Sequence, residues 1–118
     1  MDRIELRGLR ALGICGALPE ERERAQPLEI DLDAVVDLAA AGQSDDLTRT
    51  VHYGELAAAL TAVVTSEQPQ LLERLAERLA EVALGFDGVE EVTVAVRKLR
   101  PPVPEHLDTA GVRITRRR

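Results

Sequence analysis

Cysteine, histidine and aromatic side chains are nearly absent from this chain. One cysteine, Cys15, stands among 118 residues, which excludes an intrachain disulfide and any metal site built on several thiolates. Its expected role is that of a small buried hydrophobe. Two histidines, His52 and His106, cannot form a three-histidine zinc site within one chain, and no metal site is expected. There is no Trp, and Tyr53 and Phe86 are the only Tyr and Phe. Neither Ser44 nor Ser66 lies in a GxSxG elbow and no glycine-rich phosphate loop occurs, so hydrolase and nucleotide-binding readings lack their motifs. No apolar run approaches the roughly 20 residues of a membrane span. The opening MDRIELRGLR also lacks the apolar core of a signal peptide. A cytoplasmic protein without a membrane partner is expected. A net charge of -6 speaks against a nucleic-acid partner, because phosphate backbones are held by clustered Lys and Arg. The one basic block, Arg116 to Arg118, is expected to be a solvated end.

Lysine is scarcest where it is most informative. Of fifteen basic residues fourteen are Arg and one, Lys98, is Lys. An Arg keeps its proton at any accessible pH, whereas a Lys in a dry pocket can release it and act as a base. Hydrophobic residues make up 45% of the chain and charged residues 31%, the composition of a folded globular protein. At this length the chain is one domain, residues 1–118, that buries roughly two-thirds of the surface of its unfolded form.

The pattern along the chain predicts four strands and two main helices. From Arg3 to Ile14, Ile4 and Leu6 keep strand phase, and Leu9 and Ala11 fall out of step after Gly8, as a bulge there would cause. A polar turn, ALPEERERAQP, follows. Leu28, Ile30, Leu32, Ala34, Val36 and Leu38 then alternate with largely acidic neighbours, a strand with one buried face. Residues 39–50 form a connection with short helical pieces near Ala40 and Asp46. A helix is predicted from Tyr53 to Ser66, with His52 at the N-cap and Glu55 at capping-box spacing. Pro69 is read as opening a second helix, whose stripe of Leu72, Leu75, Ala76, Leu79, Val82, Ala83 and Phe86 recurs every three to four residues, with Gly88 helping to stop it. Val92, Val94 and Val96 mark a third strand, and Lys98 continues their side, where burial penalises a charged amine. Three prolines hold LRPPVPEHL in an extended loop. Val112 and Ile114 mark a last strand reaching about Arg116.

The order is therefore ββααββ, an α+β fold with a four-stranded antiparallel sheet and two helices on one face. Its second sheet face and two strand edges need cover, which favours assembly of copies into a ring or barrel. The candidate chemical groups are Glu21 in the first turn, Tyr53 at a helix start, Glu73 in the first turn of a helix and Lys98 ahead of the proline loop. Each also has a plainer role open to it: loop charge, packing residue, helix-dipole partner and strand end.

Taken together, DRIELRGLRALG, CGALPEERERAQPLEIDLD, TVHYGEL, LLERLAERLAE and VRKLRPPVPEHLDTAGVRI resemble the dihydroneopterin aldolase family from Asp2 to Arg116. The resemblance implies the tunnelling fold, assembled as tetrameric barrels or stacked octamers. It implies retro-aldol cleavage of a dihydropterin substrate, 7,8-dihydroneopterin, to 6-hydroxymethyl-7,8-dihydropterin and glycolaldehyde in folate synthesis, with epimerase side activity and no cofactor. By the same resemblance Lys98 and Tyr53 are catalytic, Tyr53 entering from a neighbouring subunit. Glu73 anchors the pterin ring with help from the backbone of Leu72, and Glu21 and Tyr53 complete substrate binding. The chain departs from the family pattern at Cys15 (usually His), Ala25 (often Gly), His52 (usually Asn or Asp) and Leu99 (usually Pro). An epimerase acting on the triphosphate would want a basic mouth, for which Arg97, Arg100 and the terminal arginines are the candidates. A non-catalytic pterin-binding module or scaffold would have no use for Tyr53, Glu73 and Lys98 together.

Overall fold

The alternation along residues 28–36 organises the molecule. In the computed structural model, which describes residues 1–118, Leu28, Ile30, Leu32 and Ala34 are wholly buried while Glu29, Asp31 and Asp33 between them stay partly exposed. They belong to β2 (Gln26–Val36), which lies between β1 (Asp2–Gly13) and β3 (Glu91–Lys98), and β4 (Ala110–Arg117) completes an antiparallel sheet in the order β1-β2-β3-β4. Register sets Ile30 opposite Val96, Leu32 opposite Val94 and Ala34 opposite Val92. The β-branched valines therefore share the buried face.

Two helices between β2 and β3 cover that face. α3 (Tyr53–Ser66) contributes Leu56, Leu60 and Val64, and α4 (Leu72–Leu84) contributes Leu75, Ala76, Leu79 and Ala83. Burial of each large apolar side chain contributes about 1.5–3 kcal/mol before the entropy of ordering it is counted. Two shorter helices, α1 (Pro19–Arg22) and α2 (Ala39–Ser44), and a 3-10 turn at Leu47–Arg49 lie in the connections. No helix is long and apolar enough to cross a membrane.

The phase slip in β1 is a bulge. Pairing passes from Leu6 opposite Leu32 to Leu9 opposite Ile30, so Arg7 and Gly8 face Asp31 alone. Gly8 adopts φ +69°, and its N–H donates to Asp31 Oδ1 at 2.8 Å. The extra residue returns Leu9 and Ala11 to the inward face. On the outward face Arg97 bridges Glu29 and Asp31 at 2.7 and 2.8 Å, while Arg10 reaches Glu29 and Arg7 reaches Asp33.

Three local expectations are corrected. The polar turn after β1 contains α1. Helix α4 opens at Leu72 and not at Pro69, because the Pro69 carbonyl is taken by the Gly16 N–H and the Arg22 guanidinium. Gly85 holds its C-terminus, whereas Gly88, at φ +89°, turns the chain into Val89. The terminal arginines are solvated, as expected, and they also make contacts. Arg116 binds Glu77, Arg117 binds Glu91, and Arg118 donates to the Leu84, Phe86 and Val89 carbonyls, closing the end of α4. His52 does cap α3, its Nδ1 accepting from the Glu55 N–H at 3.2 Å.

Candidate active site

β3 delivers Lys98 to the end of the buried face, opposite Leu28 of β2. The ladder continues one step further, since the Leu99 N–H donates to the Pro27 carbonyl at 3.2 Å. A proline at 99 could not make that bond, so the departure at Leu99 pins the lysine's strand end. Lys98 is buried, as the valine phase predicts, but its amine is not a lone desolvated group. Nζ donates to Glu21 Oε2 at 2.6 Å, and each residue is only 9% exposed.

Glu21 reaches the lysine because α1 turns it back over the preceding chain. At the third position of α1, its Oε1 accepts from the Leu18 N–H at 3.4 Å, the return half of a capping box. Gln26 donates to Glu21 Oε2 at 3.3 Å and to the Cys15 carbonyl at 2.8 Å. Gly16 leaves the space, for a Cβ there would collide with the Glu21 side chain. Burial by itself would raise the Glu21 carboxyl. Hydrogen bonds from Lys98 and Gln26, the lysine's charge and the Leu18 N–H outweigh it and hold the group below its ordinary value.

Cys15 is fully buried in the same corner. Burial chiefly pushes its thiol up, and the surrounding charges that act on it are those of Lys98, Glu21, Arg22 and Glu73. It therefore behaves as the packed hydrophobe expected of it. Glu73 occupies the second position of α4 and is exposed, and Leu72 beside it is half-buried against the core. A carboxylate at this place is favoured by the helix N-terminus and is free to accept two parallel N–H donors. Next to Glu21 lies a cavity of about 320 Å³ lined by Glu20, Arg24, Gln26, Pro27, Arg100 and Pro102, among others.

Tyr53 is elsewhere. It is 66% exposed and lines a groove of about 470 Å³ against the β1 bulge, with Leu6, Gly8, Leu9 and Ala57. Within one chain the structure thus joins Lys98 to Glu21, places Glu73 as well as that pair around Cys15, sets Leu72 against the core, and leaves Tyr53 in a separate groove. Of the arginines considered for a basic mouth, Arg97 is engaged by Glu29 and Asp31 on the outer sheet face and the terminal three by the contacts above, whereas Arg100 does line the cavity. Sequence reading missed Gln26 and Gly16. A Gln at the start of the clearest strand, ten residues after a Gly, carries no signal until the fold brings both onto one carboxylate.

Comparison with known proteins identifies the family. A family model described as FolB, dihydroneopterin aldolase, matches residues 4–115. The dihydroneopterin aldolase of Streptomyces coelicolor is 46% identical over 118 residues, covering 100% of this chain and 99% of the relative. Among solved structures, E. coli dihydroneopterin aldolase in complex with neopterin has a TM-score of 0.90 at 27% identity, covering 98% of this chain and 99% of that one. A dihydroneopterin aldolase of Burkholderia thailendensis, bound to guanine, has a TM-score of 0.82 at 26% identity, covering 99% and 91% of the two chains. The similarity runs from the first strand to the last and includes the turn, helix start and strand end described above. The chain belongs to the dihydroneopterin aldolase family and is an aldehyde-lyase.

Proposed function

We propose that this enzyme cleaves 7,8-dihydroneopterin at the corner where Lys98 meets Glu21, releasing 6-hydroxymethyl-7,8-dihydropterin and glycolaldehyde. The observation that carries the assignment of the site is the buried 2.6 Å pair between Lys98 Nζ and Glu21 Oε2, beside an open cavity. Lysine and carboxylate together form a proton-transfer couple shielded from bulk water, and such groups are suited to acid–base work.

Glu73 anchors the ring by accepting from its 2-amino group and neighbouring N–H, with Leu72 contributing its backbone. That a solved relative holds neopterin and another holds guanine supports this part of the reading, because the two ligands share an amino-substituted pyrimidinone edge. Glu21 faces the hydroxylated side chain. Lys98, an ammonium beside Glu21, first gives a proton to the nitrogen of the ring C=N. The amine so freed takes the proton of a side-chain hydroxyl through a water, the neighbouring C–C bond breaks, and its electron pair moves into the protonated C=N. The substrate is its own electron sink, so neither a Schiff base nor a cofactor or metal is required. Tyr53 assists protonation of the enamine that results. Return of the aldehyde to the other face of the same intermediate gives epimerisation as a side activity.

Because Tyr53 sits in a groove apart from Lys98, the complete site forms between subunits of a barrel-like tetramer or stacked octamer. The unpaired edges of β1 and β4 provide for that assembly. The enzyme works in the cytoplasm, in folate synthesis. The test is incubation of purified protein with 7,8-dihydroneopterin in the presence of chelator, with chromatography of the products. Hydroxymethyldihydropterin and glycolaldehyde are expected from the wild type and neither from Lys98→Ala. Near-normal turnover by Lys98→Ala would remove the lysine from the mechanism, and epimer without cleavage would reassign the enzyme as an epimerase.

A further inference from the structure

Arg22 follows Glu21 on α1 and binds no carboxylate. Its guanidinium is used on backbone carbonyls instead: Nη1 donates to Gly16 O at 3.2 Å and Pro69 O at 3.0 Å, and Nη2 donates to Gln68 O at 2.8 Å. Gly16 N–H also donates to Pro69 O at 3.3 Å. These bonds join two connections far apart in sequence, the turn from β1 to β2 that carries Glu21 and the link from α3 to α4 that leads into Leu72 and Glu73. No other hydrogen bond joins them. A planar guanidinium with five donors suits such a junction, since it can hold several carbonyls in one fixed arrangement.

We infer that Arg22 is a positioning residue that sets the distance between the ring-anchoring end of the site, Glu73, and its proton-transferring end, Lys98 with Glu21. The inference rests on the roles assigned to those residues above. Each end is held independently: Lys98 and Glu21 by the sheet end, Gln26 and Gly16, and Glu73 by α4, whose Leu75 and Leu79 are buried in the core. Only the junction between them depends on Arg22. Loss of the clamp therefore leaves ring binding in place and misaligns the bound substrate with the lysine, and displacements on the order of 1 Å cost roughly 100-fold in rate.

The experiment compares Arg22→Ala with Arg78→Ala. Arg78 binds Glu67 through two nitrogens at 3.0 Å and so ties the same α3–α4 link to α4, without touching the α1 turn. Neopterin binding is titrated by calorimetry to count competent sites, and kcat is expressed per neopterin site. Arg22→Ala is expected to keep its neopterin Kd within about threefold, to lose about 10- to 100-fold in kcat, and to regain part of it when millimolar guanidinium is added. Arg78→Ala is expected to stay within about twofold in kcat whatever its loss of melting temperature. A kcat for Arg22→Ala within twofold of wild type would overturn the inference. So would an equal loss in Arg78→Ala, or a loss that guanidinium does not relieve. Should Arg22→Ala fail to fold, Arg22→Lys, which keeps the charge without the planar fork, is judged by the same kcat and Kd limits. A Glu73→Ala variant separates the two levels of argument. Undiminished neopterin binding there would refute the site assignment itself, whereas loss of binding combined with normal kcat in Arg22→Ala would refute the clamp alone.

Discussion

Lys98 Nζ and Glu21 Oε2 lie 2.6 Å apart across 77 residues of sequence, in a corner where each residue is 9% exposed. Removing one member of a buried pair leaves the other without its counter-charge, which costs about 3–5 kcal/mol in the least forgiving sites. Protonation of Glu21 limits that cost here. Lys98→Met is expected to lose roughly 10²–10⁴-fold in kcat/KM together with measurable stability. Adding Glu21→Gln should return most of the stability and none of the activity. Denaturant melts and initial rates on the two single variants and the double variant check this, and recovery of activity in the double variant would contradict a chemical role for the lysine.

The same pair makes a pH-dependent contribution with a fixed sign. Glu21 is held below its ordinary value of 4.5, so the folded state binds its proton less readily than the unfolded state does. The stabilisation is complete above pH 4.5 and is lost as pH falls through the lower folded value. Glu29, Asp31 and Glu67 are shifted in the same direction, so the wild-type curve alone would not isolate Glu21. The difference in unfolding free energy between wild type and Glu21→Gln does. It should be constant near neutrality and shrink below pH 4.5. A difference that grows with acidity would mean the pair is mis-assigned.

Gly16 is a glycine for the sake of Glu21. A methyl group there would collide with Glu21 Cδ, Oε1 and Cβ, which displaces the whole Glu21 side chain, carboxylate included, from Lys98. Gly16→Ala is expected to lower both melting temperature and kcat/KM, the latter by about tenfold or more. Gly16→Ala combined with Glu21→Gly removes the collision, since Glu21 Cβ as well as the carboxylate stands in the way, so their stability effects should be strongly non-additive. Simple additivity would show that the glycine serves the backbone and not the carboxylate.

Much of this was legible in the sequence, for identifiable reasons. The alternation from Leu28 to Val36, the valines of β3 and the leucine stripe of α4 carry their periods openly, and even the slip after Gly8 announced the bulge. Lys98 was placed on the buried side by phase alone. Its partner could not be read that way. Glu21 stands in a run with Glu20, Arg22, Glu23 and Arg24, and only the turn of α1 over Gly16 selects it from that crowd. The partners of the exposed terminal arginines are hidden for a related reason, since Glu77, Glu91 and the end of α4 come from other elements. Family resemblance supplied the roles of Tyr53 and Glu73, which periodicity describes only as a helix start and a first-turn acid.

Tyr53 offers the sharpest test of how the site is assembled. It is 66% exposed and lines a groove with the β1 bulge, so Tyr53→Phe removes a hydroxyl that supports nothing in the single chain. Stability should change by less than about 0.5 kcal/mol, while kcat falls by roughly 10²-fold or more if the hydroxyl protonates the enamine. If the hydroxyl acts across a subunit boundary, a Tyr53→Phe subunit lends an intact Lys98 to a site that a Lys98→Ala subunit completes with its own Tyr53. Dissociating the two inactive proteins, mixing them in equal amounts and reassembling them should then restore activity, to about a quarter of wild type for random pairing at each boundary. Each protein reassembled alone should stay inactive. A mixture no more active than its components, with hybrid oligomers confirmed by native mass spectrometry, would place Tyr53 and Lys98 in one subunit's site or outside a shared one.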